Sequence, residues 1–270
     1  MILGHYQITK YLSSSPTIDR SRGALVSTVV SSRMLQTIAE KEGLYYADTL
    51  TGFKWIGNES LRLQQDGYHV LFSYEEALGY CVGDIICDKD GISAAITISE
   101  LINMLSQQNK TLFQYYQEIQ QQYGLFVSYN TYVFSHDKQV TKEIFKRLRN
   151  FNSTESNDSN SKGSGYWKKT GNIEVKRIRD ITLGYDSATE NGMSSLPVTP
   201  DSEMLMFEFA NNCTLIIRTS GTEPKIKCYS EMVSTDPNLT EGMIKLQLQE
   251  FIESCIEEMI QPQVHHLSRP

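Results

Sequence analysis

The chain has 270 residues, 40% of them hydrophobic and 21% charged, with a formal net charge of −7 at pH 7. That length makes one large or two ordinary domains with packed cores, and the acidic balance argues against nucleic acid as the main partner, because phosphate backbones select basic surfaces. There is no apolar run of about 18 residues or more to span a membrane, and residues 1–7 lack the basic and apolar blocks of a secretory signal.

Residues 4–15 are expected to form a tail ahead of the first strand. Residues 24–30 are β-rich. Residues 31–43 read as a helix, with apolar Met34, Leu35, Ile38 and Ala39 at helical spacing and Gly43 as its stop. Residues 44–49 look like a second strand, 50–52 a loop, 53–65 a helix and 69–74 a third strand. A loop over 75–91 precedes two helices, 92–106 and 111–123. This alternation predicts an α/β domain with a largely parallel sheet over residues 1–127.

Beyond it the pattern changes. Strands are expected over 125–134, 172–178, 204–209, 213–218 and 225–232, with helices over 137–150 and 241–260, which describes an α+β domain over residues 128–270. Residues 152–165 contain no apolar side chain and are expected to be a disordered surface loop. Cys81, Cys87, Cys213, Cys228 and Cys255 form no Cys-x-x-Cys pair and are expected as reduced thiols in the cytoplasm. His5, His69, His136, His265 and His266 have no ligand partners at metal spacing.

Four loops carry candidate chemistry. The apolar run Cys213 to Ile217 delivers Arg218 into Thr219-Ser220-Gly221-Thr222-Glu223-Pro224-Lys225. A guanidinium can pair two phosphate oxygens at once, the Ser220 and Thr222 hydroxyls can donate further bonds, Lys225 adds charge, and Gly221 permits the positive φ that lets backbone N–H groups converge on an anion. A plain hairpin turn accounts for the same composition. Gly52, Phe53 and Lys54 follow a strand and open a helix, as an anion site or a strand-to-helix turn would. Glu75 and Glu76 end a parallel strand, at the edge where open α/β sheets bind ligands; their carboxylates either accept from sugar hydroxyls or are simply solvated. Asp88-Lys89-Asp90-Gly91 lacks the ligands of a calcium loop, leaving Lys89 as a phosphate or hydroxyl contact or part of a turn.

Taken together, the stretches LTGFKWIGN (50–58), EEALGY (75–80), DKDGISAA (88–95), RDITLGYD (179–186) and RTSGTEPKIK (218–227) resemble, in order and separation, the α-D-phosphohexomutase superfamily, nearest the branch of phosphopentomutase and glucose-1,6-bisphosphate synthase. The resemblance covers essentially the whole chain and implies the third and fourth of four domains: a phosphohexomutase-type α/β domain followed by an α+β domain. It implies that Gly52, Phe53, Lys54, Glu75 and Glu76 grip the sugar, that Lys89 contacts phosphate, and that Arg218, Ser220, Gly221, Thr222 and Lys225 hold the non-reacting phosphate. Hexose-specific relatives have Ser where this chain has Ala77, which favours the pentose-phosphate or bisphosphate-synthase branch.

The family's phosphoserine segment and its Asp-x-Asp-x-Asp magnesium loop have no counterpart in this sequence. The resemblance therefore implies a catalytically incomplete piece of a mutase, from a truncated gene model or an isoform, with no catalytic residue or magnesium site of its own. The complete enzyme would use magnesium and a sugar bisphosphate as activator and intermediate. Small sugar phosphates are the expected partners, with no nucleic acid and no membrane. A non-catalytic phosphosugar-binding protein, or part of a glucose-1,6-bisphosphate synthase, is the alternative.

Overall fold

The computed structural model describes residues 1–15, 17–150 and 165–270, so the loop expected over 152–165 lies, apart from Gly165, outside the described residues. Contacts divide the chain into Met1–Phe126 and Val127–Pro270.

In the first unit, strand β1 (Gly23–Thr28) is buried at every position, as a central strand covered on both faces requires. Strands β2 (Tyr45–Thr49) and β3 (His69–Glu75) pair parallel to it on either side, and β4 (Gly79–Val82) adds antiparallel to β3, giving the order β2-β1-β3-β4. β4 falls inside the stretch expected to be loop. A register shift sets Val70 opposite Ala24 but Phe72 opposite Leu25. The extra residue, Leu71, turns Phe72 to the other face of the sheet from Val70.

Two helical layers follow from that alternation. Helix α3 (Phe53–Gln65) packs Phe53, Ile56 and Leu63 on Ala24, Val26, Ala47, Val70 and Cys81. On the Phe72 side lie α2 (Met34–Glu42), stopped by Gly43 at φ 73°, and α1 (Ile2–Ser13). The segment expected to be a tail is therefore a helix. Its Gly4 is a point of close approach: a Cβ there would lie 2.8 Å from Leu35 Cδ1 and 2.9 Å from Phe72 Cδ1. Helix α4 (Gly91–Gln107) follows, then α5 (Leu112–Tyr123), which starts with a capping box between Thr111 and Gln114. His5 of α1 sits with Nδ1 2.6 Å from the Tyr115 hydroxyl and edge-on to Tyr115 and Tyr123, and burial lowers its pKa.

The second unit is built on a sheet of order β5-β11-β10-β9-β7-β6, comprising β5 (Leu125–Phe134), β6 (Lys169–Thr170), β7 (Ile173–Asp180), β9 (Met204–Phe209), β10 (Cys213–Thr219) and β11 (Lys225–Ser234), with β8 (Tyr185–Asp186) paired to β7. Register places Leu205, Phe207, Leu215, Ile217, Ile226 and Cys228 on one face, all buried. Helix α7 (Glu241–Cys255) covers that side, its Phe251 ring edge-on to Phe209 at 4.9 Å. Helix α6 (Lys138–Arg149) sends Arg147 to the carbonyls of Glu258 and Met259 in the π-helical turn Ile256–Ile260. That cation satisfies carbonyls a helix end leaves open.

Two ion-pair clusters fasten β7. Wholly buried Asp180 accepts from Arg149 Nε at 2.6 Å, the Tyr166 hydroxyl at 3.0 Å and Leu183 N at 3.1 Å, while Arg149 Nη2 also reaches Glu203 at 2.6 Å. Asp186, also buried, accepts from Arg177 Nη2 at 2.7 Å and from Ala188 N at 3.0 Å. Burial alone would raise the Asp186 carboxyl, but the Arg177 hydrogen bond and the Ala188 amide overcome it and hold the pKa below the ordinary value. A depressed carboxyl contributes stability above its unfolded pKa and loses it as pH falls through the folded value. Asp186→Asn is therefore expected to cost about 1–3 kcal/mol at neutral pH, since it removes the carboxylate that Arg177 and Arg179 share and leaves Arg177 with Glu208. The difference from wild type should begin to shrink below roughly pH 4, the ordinary carboxylate value, and close only as pH falls through the lower folded value, as read by urea denaturation at neutral and progressively acidic pH; a gap independent of pH would contradict the assignment.

Candidate functional site

In the first unit the candidate residues gather at the carboxyl edge of the parallel strands, where β2 ends at Thr49 and β3 at Glu75. Gly52 is the N-cap of α3 with φ 108°, a conformation L side chains avoid, and a Cβ there would meet nothing within 4 Å. No side chain among the described residues caps α3, and within its first turn Trp55 N donates to Gly52 O at 3.0 Å; helix N-termini of this kind favour an anion. Lys54 is exposed, its Nζ 5.7 Å from the Trp55 ring.

Phe53 points the other way. It is 5% exposed and belongs to the core. Around it the three loops meet. The turn 76–78 returns at Gly79, where a Cβ would lie 2.9 Å from the Phe53 ring carbons, so only glycine lets the Glu75–Gly79 turn lie against it. Lys89 Nζ is 5.5 Å from the Phe53 ring centroid and 3.6 Å from Asp88. Glu75 is half-buried and Glu76 exposed.

The Lys89 turn is held from both ends. Asp90 N donates to Tyr80 O at 2.8 Å. The Asp90 carboxylate caps α4 by accepting from Ile92 N, Ser93 N and the Ser93 hydroxyl, and the Ser93 hydroxyl bond is the main cause of its lowered pKa. On the other side, a Cβ at Gly57 would stand 2.3 Å from the Cys87 carbonyl oxygen. Gly57 thus lets the Cys87 backbone touch α3, which sets where Lys89 emerges.

In the second unit, residues 220–224 form the hairpin between β10 and β11. Ser220 N donates to Lys225 O at 2.9 Å, Lys225 N to Glu223 O at 2.8 Å, and Ser135 N to Pro224 O at 2.8 Å. Gly221 and Thr222 are exposed and Ser220 half-buried. Gly221 is not among the positive-φ glycines, contrary to the expectation for a converging amide nest. A Cβ there would meet nothing, so its contribution is a bare, accessible backbone.

Register sets Arg218 opposite Lys227, and strand alternation puts Lys225 and Tyr229 on the same face as that pair. Arg218 Nη1 donates to Thr219 O at 3.2 Å and Nη2 to the Tyr229 hydroxyl at 3.1 Å, with the guanidinium 5.4 Å from the Tyr229 ring centroid. Its Nε is buried and has no hydrogen-bond partner among the described residues. Lys225 Nζ lies 4.3 Å from the Tyr132 ring centroid and 2.6 Å from Glu223 Oε1, and Lys227 Nζ is 3.6 Å from Glu223 Oε2. The Lys225 bond lowers the Glu223 pKa and, reciprocally, raises that of Lys225. Thr219, next to Arg218, is pinned to Glu203 by Thr219 N to Glu203 O at 3.0 Å and Glu203 N to Thr219 Oγ1 at 3.2 Å. The Arg149–Asp180 cluster therefore ends at the hairpin.

Gly52, Phe53, Lys54, Glu75, Glu76 and Lys89 thus belong to the first unit, and Arg218, Ser220, Gly221, Thr222 and Lys225 to the second. Sequence reasoning did not assign Lys227, Tyr229 or Tyr132 to the second group, although strand alternation from Lys225 carries the first two. The Arg149, Asp180 and Glu203 cluster had no local signal.

Residues 6–123 match the family model described as phosphoglucomutase/phosphomannomutase, alpha/beta/alpha domain III. The human glucose 1,6-bisphosphate synthase is 39% identical over 250 residues, covering 93% of this chain and 39% of that protein. The human phosphopentomutase is 38% identical over 243 residues, covering 90% and 38%, and a probable phosphoribomutase of Schizosaccharomyces pombe is 35% identical over 270 residues, covering 100% and 43%. The chain thus spans about two-fifths of the length of these relatives. The open form of parafusin, a phosphoglucomutase from Paramecium, superposes with TM-score 0.67 at 18% identity, over 100% of this chain and 42% of that one, a likeness of fold.

Gly57→Ala is expected to displace the Cys87 backbone and destabilise the protein by about 1–3 kcal/mol. Gly91→Ala, where a Cβ meets nothing within 4 Å, should stay within about 0.5 kcal/mol of wild type. Urea denaturation of both variants reads the difference, and equal stabilities would contradict the packing argument.

Proposed function

We propose that this chain, which belongs to the phosphoglucomutase/phosphomannomutase family of α-D-phosphohexomutases, supplies the sugar-binding and distal-phosphate-binding parts of a phosphosugar mutase. The observation that carries the reading is the β10–β11 hairpin: Arg218, Lys225 and Lys227 share one sheet face beside the Ser220 hydroxyl and a bare Gly221. Three cations with hydroxyl donors suit a dianionic phosphate. In the first unit, Gly52, Lys54, Glu75 and Glu76 suit sugar hydroxyls, and Lys89 suits a phosphate oxygen.

The reaction we assign to the complete enzyme interconverts a sugar 1-phosphate with ribose 5-phosphate or glucose 6-phosphate. A phosphoserine gives its phosphoryl group to the sugar monophosphate, the bisphosphate reorients, and the other phosphoryl group returns to the serine. Residues of this chain would bind and orient: the hairpin holds the phosphate that does not react, and electrostatic positioning is the main contribution a protein makes to phosphoryl transfer. Among the described residues no group of three or more His, Cys, Asp or Glu side chains could hold a metal ion. Similarity of 39% and 38% to a bisphosphate synthase and a phosphopentomutase supports both acceptors alike; Ala77 supports the pentose or bisphosphate side. Among the described residues no helix is long and apolar enough to cross a membrane, and the five free thiols suit a reducing cytoplasm.

Titration calorimetry with inorganic phosphate, glucose 1-phosphate and ribose 5-phosphate tests the reading. Arg218→Ala should weaken phosphate binding by about tenfold or more; unchanged affinity would sink the hairpin assignment. Glu223 occupies two of the cations a phosphate needs. Glu223→Gln is therefore expected to tighten phosphate binding by about twofold to fivefold at low ionic strength, with the gain shrinking as salt rises. Weaker binding in this variant would mean that Glu223 orders the loop rather than competing with the ligand.

A further inference from the structure

We propose that Tyr229 is a positioning residue for Arg218, an inference that rests on the phosphate-binding reading of the hairpin. Tyr229 lies on β11 opposite Ile216, diagonal to Arg218, on the sheet face that carries the cations. It is 8% exposed, so its ring cannot be spread over solvent as a loop aromatic would be. Its hydroxyl accepts from Arg218 Nη2 at 3.1 Å while its ring lies beneath the guanidinium at 5.4 Å.

Both contacts restrict the same guanidinium. An arginine carries about 2 kcal/mol of rotamer entropy that a ligand must otherwise overcome, whereas a buried tyrosine has two restricted torsions and offers a fixed acceptor. The backbone next to Tyr229 is also anchored: Ser230 N donates to Asn130 Oδ1 at 3.2 Å and the Ser230 hydroxyl donates to Tyr129 O. With Nη2 held by Tyr229 and Nη1 by Thr219 O at 3.2 Å, the orientation of the fork is set before any phosphate arrives. The buried Arg218 Nε, without a partner among the described residues, remains an unused donor. Packing alone would be served as well by phenylalanine, so the hydroxyl is the part with the positioning role.

The test is a double-mutant cycle on the full chain, with inorganic phosphate as the probe and thermal unfolding measured in parallel. Tyr229→Phe should weaken phosphate binding by about threefold to tenfold with a melting temperature within about 2 °C of wild type. In an Arg218→Lys background, which keeps a charge but no fork, Tyr229→Phe should cause no further loss. Wild-type affinity in Tyr229→Phe alongside weakened Arg218→Lys would overturn the inference and leave the hairpin reading intact. Equal losses from Tyr229→Phe in both backgrounds would also overturn it, because the hydroxyl would then act on phosphate directly. Absence of phosphate binding in wild type would overturn both readings. If Tyr229→Phe unfolds, the pair Tyr229→Gln and Tyr229→Leu carries the test: both delete the ring, but only Gln offers an acceptor. Gln should bind phosphate more tightly than Leu, and equal affinities would refute the role of the hydroxyl.

Discussion

Like charges crowded on one face of a sheet repel, and the second unit is organised around that constraint. Alternation along β10 and β11 leaves no choice of face: if Ile217, Ile226 and Cys228 are to be buried, then Arg218, Lys225, Lys227 and Tyr229 must share the opposite side. The surroundings answer the repulsion without removing the charge. Glu223 bridges the two lysines, the Tyr132 ring sits under Lys225, and the Tyr229 ring and hydroxyl hold Arg218. Each of these partners leaves donor capacity for an incoming anion.

The hairpin also needs a rigid base, and it takes one from far along the chain. Glu203 extends the β9–β10 ladder to Thr219 through two hydrogen bonds while its carboxylate holds Arg149. Arg149 would be expensive to bury alone; burial lowers its pKa, and the hydrogen bonds to Asp180 and Glu203 reverse that and hold it above the ordinary range. In the first unit the corresponding base is apolar. Phe53 sits in the core with Gly79 against its ring, and Gly57 admits the Cys87 carbonyl. The loops there are placed by glycines that allow contact rather than by charges that attract.

Much of this was legible in the sequence because the signals were local. The periodicity of Met34, Leu35, Ile38 and Ala39 with Gly43 behind it reads directly as a capped helix, and the run before Arg218 reads as a strand. The failures have physical causes. The segment 4–15 reads as a tail ahead of the first strand, yet most of it is helix α1, in which Gly4 lets the helix approach Leu35 and Phe72 closely. β4 is only Gly79–Val82, too short for alternation to be seen, and its partner β3 supplies the rest of its reason to exist. The sequence suggests a positive φ at Gly221, whereas the hairpin needs only an open position there. The Arg149–Asp180–Glu203 cluster joins residues more than 20 positions apart in sequence, so no window along the chain contains it.

The central claim is that the 218–227 hairpin binds phosphate. Amide hydrogen exchange of the full chain with and without inorganic phosphate tests it most directly, because the readout is resolved along the sequence. The account predicts slower exchange across residues 218–227 on adding phosphate, removed by Arg218→Ala. Unchanged exchange at the hairpin, or protection confined to other segments, would contradict it.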